Sequence, residues 1–165
     1  MDQLKEGSID AASAMTYNEL GLLLEGGIKK EDLNIIDMND EKVAMLEDCL
    51  FVNSDWASKN KDLMVRFLRA SIKGWKDAVA DPDAAGKTVY NVDKSVSLDH
   101  QVYMAKEVAK LVAPQGFDAS KIGQIDMNAV KQTGDFLKLY NKDLAKTPVV
   151  DETTFTSKYW DEATK

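Results

Sequence analysis

Strand-like patterning in this chain is confined to its first 53 residues, and everything beyond reads as helix. Residues 10–16, Asp10-Ala11-Ala12-Ser13-Ala14-Met15-Thr16, are small and mostly apolar, which suits a short buried strand closely approached by other backbone. Leu33-Asn34-Ile35-Ile36-Asp37-Met38 reads as a second strand and Cys49-Leu50-Phe51-Val52-Asn53 as a third, with an acidic stretch from Asn39 to Asp48 between them. Three short strands, with no later strand to complete a sheet and a long helical remainder, are expected of an excerpt from an α/β fold and not of a whole α/β domain.

The helices are written in local signals. Thr16-Tyr17-Asn18-Glu19 fits a capping box, with the Thr16 hydroxyl accepting from the Glu19 amide and the Glu19 carboxylate reaching back to the Thr16 amide. Leu20, Leu22, Leu23 and Leu24 follow, and Gly26-Gly27 supplies a left-handed stop. Leu63, Met64, Phe67, Leu68, Ile72, Trp75 and Val79 recur at three- and four-residue steps, one apolar stripe on a helix of about 20 residues and about 30 Å, with Trp75 expected in the core. Asp81-Pro82 ends it and opens the next helix. Ser97 caps a helix running to Ala113, Asp126 caps another from Met127 to about Tyr140, and a last amphipathic turn or two spans Phe155 to Ala163.

Charge and composition exclude several functions. The net charge is −7, with 28 acidic against 21 basic residues, whereas nucleic-acid binding needs a concentrated basic face. Arg66, Arg69 and Lys73 read as the solvated side of a helix. No run approaches the roughly 18 apolar residues of a spanning helix. A lone cysteine, Cys49, allows no internal disulfide, and within Cys49-Leu50-Phe51-Val52 it is expected to be a small buried hydrophobe. His100 is the single histidine, so no serine triad or histidine-based metal site assembles around it, and a place on a helix surface is expected. No phosphate-loop or dinucleotide fingerprint occurs, and the carboxylates at Glu31-Asp32 and Asp40-Glu41 lie in polar stretches with no apolar pocket nearby. Neither catalytic residues nor a cofactor or metal is expected.

Several words stand in a telling order: Gly7-Ser8-Ile9-Asp10-Ala11-Ala12, then Met15-Thr16-Tyr17-Asn18-Glu19-Leu20, then Leu46-Glu47-Asp48, then Arg66-Phe67-Leu68-Arg69-Ala70-Ser71 with Gly74-Trp75, then Asp81-Pro82 with Ala84-Ala85. In that order and at those distances they resemble the solute-binding proteins of the thiamine-pyrimidine family, relatives of the sulfonate- and nitrate-binding receptors of ABC importers. The resemblance implies an α/β architecture, a partial periplasmic-binding-protein type II fold with few strands at the N-terminal end followed by mostly helices. Residues 1–48 are then the end of lobe two, and residues 49–165 the return crossing and the C-terminal part of lobe one. The members are about twice this length, so the resemblance places the signal segment and the sheet of lobe one outside the sequence in hand. It also implies an extracytoplasmic place, periplasmic or as a membrane-anchored lipoprotein, although Met1-Asp2-Gln3-Leu4-Lys5-Glu6 lacks the basic start and apolar core of a secretory signal.

Within such a receptor the leading site is the strand-to-helix turn. Tyr17 stacks on an aromatic ring there while Asn18 and Glu19 hydrogen-bond to ring nitrogens or amino groups; the competing reading is that Thr16 and Glu19 only cap a helix. Glu47 and Asp48 either line the hinge side of the cleft or form an exposed acidic loop, and Trp56 is a further candidate for ligand contact. The expected role is therefore capture of a small aromatic heterocycle, such as a thiamine pyrimidine precursor or a flavin-like compound, with an ABC permease as partner and no nucleic acid. Two alternatives stand beside it. One is a non-binding receptor fragment that self-associates as a homodimer through its uncovered apolar stripe. The other is a piece of a pyrimidine synthase of the same broad family, whose reactive histidine, cofactor lysine and cysteine-rich motif would belong to the first half.

Overall fold

The computed structural model describes residues 1–143 and 154–165. Its elements are α1 (Asp2–Lys5), α2 (Glu19–Glu25), α3 (Ser54–Lys59), α4 (Lys61–Ala80), α5 (Pro82–Val92), α6 (Leu98–Val112), α7 (Met127–Tyr140) and α8 (Lys158–Ala163), with 3-10 turns at Lys30–Asp32 and Ala119–Lys121. Among the described residues there is no β-strand, so the strands expected at residues 10–16, 33–38 and 49–53 are not formed. A strand exists only as half of a ladder, because its amides and carbonyls need a neighbour to pair with. No described segment offers these stretches that neighbour. They run irregularly, and Leu50 and Phe51 are 65% and 93% exposed. Cys49, expected to be buried with them, is exposed for the same reason.

Local signals fix the helices well. The Ser97 hydroxyl accepts from the His100 amide at 3.0 Å, Asp126 Oδ1 accepts from Asn128 and Ala129 at 2.8 and 3.3 Å, and Asp81 Oδ1 accepts from Ala84 at 3.0 Å with Pro82 opening α5. At the end of α2 the Ile28 amide donates to the Leu23 carbonyl and the Gly27 amide to that of Leu24. Gly27, at φ 88°, supplies the left-handed residue that this closing motif requires.

Two compact units emerge, one made of residues 1–35 and 73–122, the other of residues 36–72 and 123–165. In the first, α5 and α6 form a tightly packed pair, and α2 lies against α6. Gly86 makes the α5–α6 approach possible: a Cβ there would sit 2.7 Å from Val102 Cα and 2.9 Å from the Gln101 carbonyl oxygen. Leu23, Ile122, His100 and Gln101 are the buried side chains of this unit. Trp75, expected in the core, is 46% exposed. An apolar stripe is buried only where a second element covers it, and no described element does so at Trp75.

In the second unit Ala57, Ile72, Val130, Tyr159 and Ala163 are buried. Leu63 and Phe67, from the same stripe as Ile72, stay exposed. Arg69, read as solvated, instead donates from Nε to the Ala163 carbonyl at 3.1 Å and from Nη2 to that of Glu162 at 3.2 Å. A cation on the last carbonyls of α8 satisfies acceptors that the helix itself leaves open. Lys61 adds an ion pair to Glu162 at 2.6 Å. The segment around residues 44–46 is laid along α7, with the Leu46 amide donating to Thr133 Oγ1 at 3.1 Å and Gln132 Nε2 donating to the Ala44 carbonyl at 3.2 Å.

Candidate functional site

The turn that leads into α2 is built differently from a capping box. Helix α2 starts at Glu19, its N-cap is Asn18, and no side chain caps it. The Glu19 carboxylate does reach back, but to the Met15 amide at 2.9 Å and not to that of Thr16. The Met15 carbonyl in turn accepts from Asn18 at 3.3 Å and from Leu20 at 3.2 Å. With the helix starting two residues later than a Thr16 cap requires, the Thr16 hydroxyl is out of register for the role.

What holds the turn comes from α6. The Tyr103 hydroxyl donates to the Thr16 carbonyl at 2.7 Å. One turn earlier, His100 Nε2 lies 3.1 Å from Asn18 Oδ1 and Nδ1 lies 2.8 Å from Glu25 Oε1. Residues three apart share a helix face, so one face of α6 grips the turn at two points. The His100 and Tyr103 rings stack at 6.0 Å with an interplanar angle of 23°. Burial, with Glu107 and then Glu25 nearby, raises the Tyr103 phenol above its ordinary value of 10.0, which keeps the hydroxyl a donor. Helix α2 presses so close that a Cβ on Gly21 would come 2.3 Å from Tyr103 Cε1.

His100 is therefore not on a helix surface but is 1% exposed, with both ring nitrogens facing oxygen. An imidazolium satisfies both as a double donor. The Nε2 proton goes to Asn18 Oδ1, which leaves Asn18 Nδ2 free of the ring, and the Nδ1 proton goes to Glu25. The ring is sealed from substrate, which makes it a structural tie. No sequence pattern signals it, because its partners lie 75 and 82 positions away.

Thr16, Tyr17, Asn18 and Glu19 thus form one turn, each half-buried. Asn18 Oδ1 and Glu19 Oε2 are engaged internally, whereas the Tyr17 hydroxyl, Asn18 Nδ2 and Glu19 Oε1 have no partner among the described residues. Glu47, Asp48 and Trp56 belong to the second unit. Glu47 and Asp48 are exposed on irregular backbone, and Trp56 is exposed in α3, its amide donating to Asn53 Oδ1 at 3.0 Å. An open groove of about 390 Å³ in that unit is lined by Lys42, Met45, Leu46, Ala129 and Gln132 among others, and by none of the expected site residues. Among the described residues no three His, Cys, Asp or Glu side chains gather as a metal-binding group, and no helix is long and apolar enough to cross a membrane.

A family model described as NMT1/THI5 like matches residues 1–85, just over half of the chain and a stretch that holds every expected site residue from Thr16 to Trp56. No curated protein and no solved structure matches the chain.

Proposed function

The chain belongs to the NMT1/THI5-like family, and from that premise we propose that it is a solute-binding component of an ABC importer that captures a small aromatic heterocycle, a thiamine pyrimidine precursor or a flavin-like compound. On this reading residues 1–48 are the end of lobe two, residues 49–165 the return crossing and the C-terminal part of lobe one, and the protein works outside the cytoplasm beside a permease. It binds and does not catalyse.

The observation that carries the proposal is the Thr16–Glu19 turn, which lies inside the matched stretch. Its backbone is pinned by α6, while the Tyr17 ring and hydroxyl, Asn18 Nδ2 and Glu19 Oε1 are left for a ligand. An aromatic face flanked by one amide donor and one carboxylate acceptor suits a ring that carries both nitrogens and amino groups. Calorimetric titration with an aminopyrimidine and with riboflavin tests it. Binding of either, weakened about tenfold or more by Tyr17→Ala, is expected for a stacking residue. A wild-type chain that binds neither ends the proposal, and a ligand recovered with altered mass would make the protein an enzyme.

A second reading rests on a separate observation. Ile36, Leu50, Phe51 and Trp75 are all large, apolar and exposed. Apolar surface of this kind favours a self-associating chain, in which two copies cover one another. Sedimentation at several concentrations distinguishes them: a homodimer weakened by Phe51→Ser supports self-association, and a monomer throughout excludes it.

A further inference from the structure

We propose that His100 is the positioning residue for the ligand-binding turn, acting through Asn18, with Tyr103 as its second hold; this rests on the binding role proposed above. An asparagine at an N-cap ordinarily turns its side-chain oxygen onto the helix amides that follow it. Here α2 has no such bond, and Asn18 Oδ1 faces His100 Nε2 at 3.1 Å instead. The cap has been given up to a contact from another helix. Nε2 fixes the asparagine, Glu25 Oε1 fixes the opposite edge of the ring at 2.8 Å, and the Tyr103 hydroxyl takes the Thr16 carbonyl at 2.7 Å. Tyr17 lies between the two held residues, so the direction of its ring and of Asn18 Nδ2 follows from how α6 sets Thr16 and Asn18. A ring 1% exposed touches no ligand itself; it acts by holding the groups that do.

The two ring nitrogens have different tasks, and substitutions separate them. Glutamine places a polar group near the Nε2 position and asparagine near that of Nδ1. His100→Gln therefore keeps the hold on Asn18 and loses Glu25, while His100→Asn does the reverse. Expected is riboflavin or aminopyrimidine affinity within about threefold of wild type for His100→Gln and a loss of about tenfold or more for His100→Asn, at matched thermal stability. Tyr103→Phe, which removes one hydroxyl and keeps the ring, is expected to weaken binding as well and serves if the histidine variants fold poorly. Equal losses that track stability in all three would reduce His100 to an ordinary core residue.

A nitrogen-resolved spectrum gives a readout independent of ligand. His100 is the single histidine, so its ring signals need no assignment. Nε2 is expected to carry a proton donated to Asn18 Oδ1, and a ring protonated on Nδ1 alone, with the Asn18 amide turned to use its Nδ2, would overturn the arrangement. If wild type binds neither probe, the binding proposal fails by itself. The positioning claim then stands or falls on whether the Tyr17 and Asn18 amide resonances move in His100→Asn and stay in place in His100→Gln.

Discussion

The carboxylate of Glu25 closes on Nδ1 of His100 at 2.8 Å, so the last residue of α2 meets the first turn of α6 across 75 positions of sequence. The ring is buried, whereas Glu25 is 43% exposed. The pair is therefore dry on one side and wet on the other. Removing the acceptor with Glu25→Ala leaves a buried N–H short of a partner and is expected to cost about 1–3 kcal/mol. Glu25→Gln keeps an acceptor oxygen and should lose less. Urea titrations of the three proteins check the order wild type, glutamine, alanine in midpoint.

Three glycines in helices should respond in two directions. A methyl at Gly86 meets Val102 Cα at 2.7 Å, backbone that has nowhere to go, and one at Gly21 meets the Tyr103 ring at 2.3 Å. Overpacking of this kind costs about 1–3 kcal/mol, so Gly86→Ala and Gly21→Ala are expected to destabilise. Nothing lies within 4 Å of a Cβ at Gly74, mid-way along α4. Gly74→Ala should therefore stabilise by about 0.5–1 kcal/mol through helix propensity alone. Thermal melts of the three variants decide it.

Acid should loosen the contact between α4 and α8. Lys61 beside Glu162 holds that carboxyl below its usual 4.5. A depressed folded value means that the contribution is present above about pH 4.5 and is lost as pH falls through the folded value. A carboxyl carbon titration should find Glu162 low in wild type and returned toward 4.5 in Lys61→Ala. The stability difference between the two proteins should shrink below that pH.

Cys49 should react with a maleimide or an aromatic disulfide in the folded protein as readily as in urea, because the thiol is exposed. A thiol protected until unfolding would mean that residues 49–53 are covered in solution, the outcome a self-associated chain gives.

Legibility followed the range of the interaction. Ser97, Asp126, Asp81 with Pro82, and Gly26 with Gly27 act on amides or carbonyls within a few residues, so their helices could be read from neighbouring letters. The strands at residues 10–16, 33–38 and 49–53 could not, because alternation describes which faces a strand would bury, and pairing needs a second segment that no described part of the chain provides. Trp75 went astray in the same way: it stands in the helix expected for it, and no described element covers it. Of the site, the turn at Thr16–Glu19 was legible as a turn. Its anchors were not, since His100 and Tyr103 reach it from more than 80 residues away.

The irregular stretch before α3 sets a further expectation. No described residue accepts from the amides of residues 47–52, which stand between the Leu46 bond to α7 and the Asn53 cap of α3. Such amides trade hydrogen for deuterium at close to the rate of a free peptide, whereas those inside α6 must wait for the helix to open. The same stretch presents irregular backbone to a protease with Leu50 and Phe51 exposed. A chymotrypsin-like enzyme should therefore nick the chain there first, leaving two pieces whose continued association would report how tightly the rest is held together.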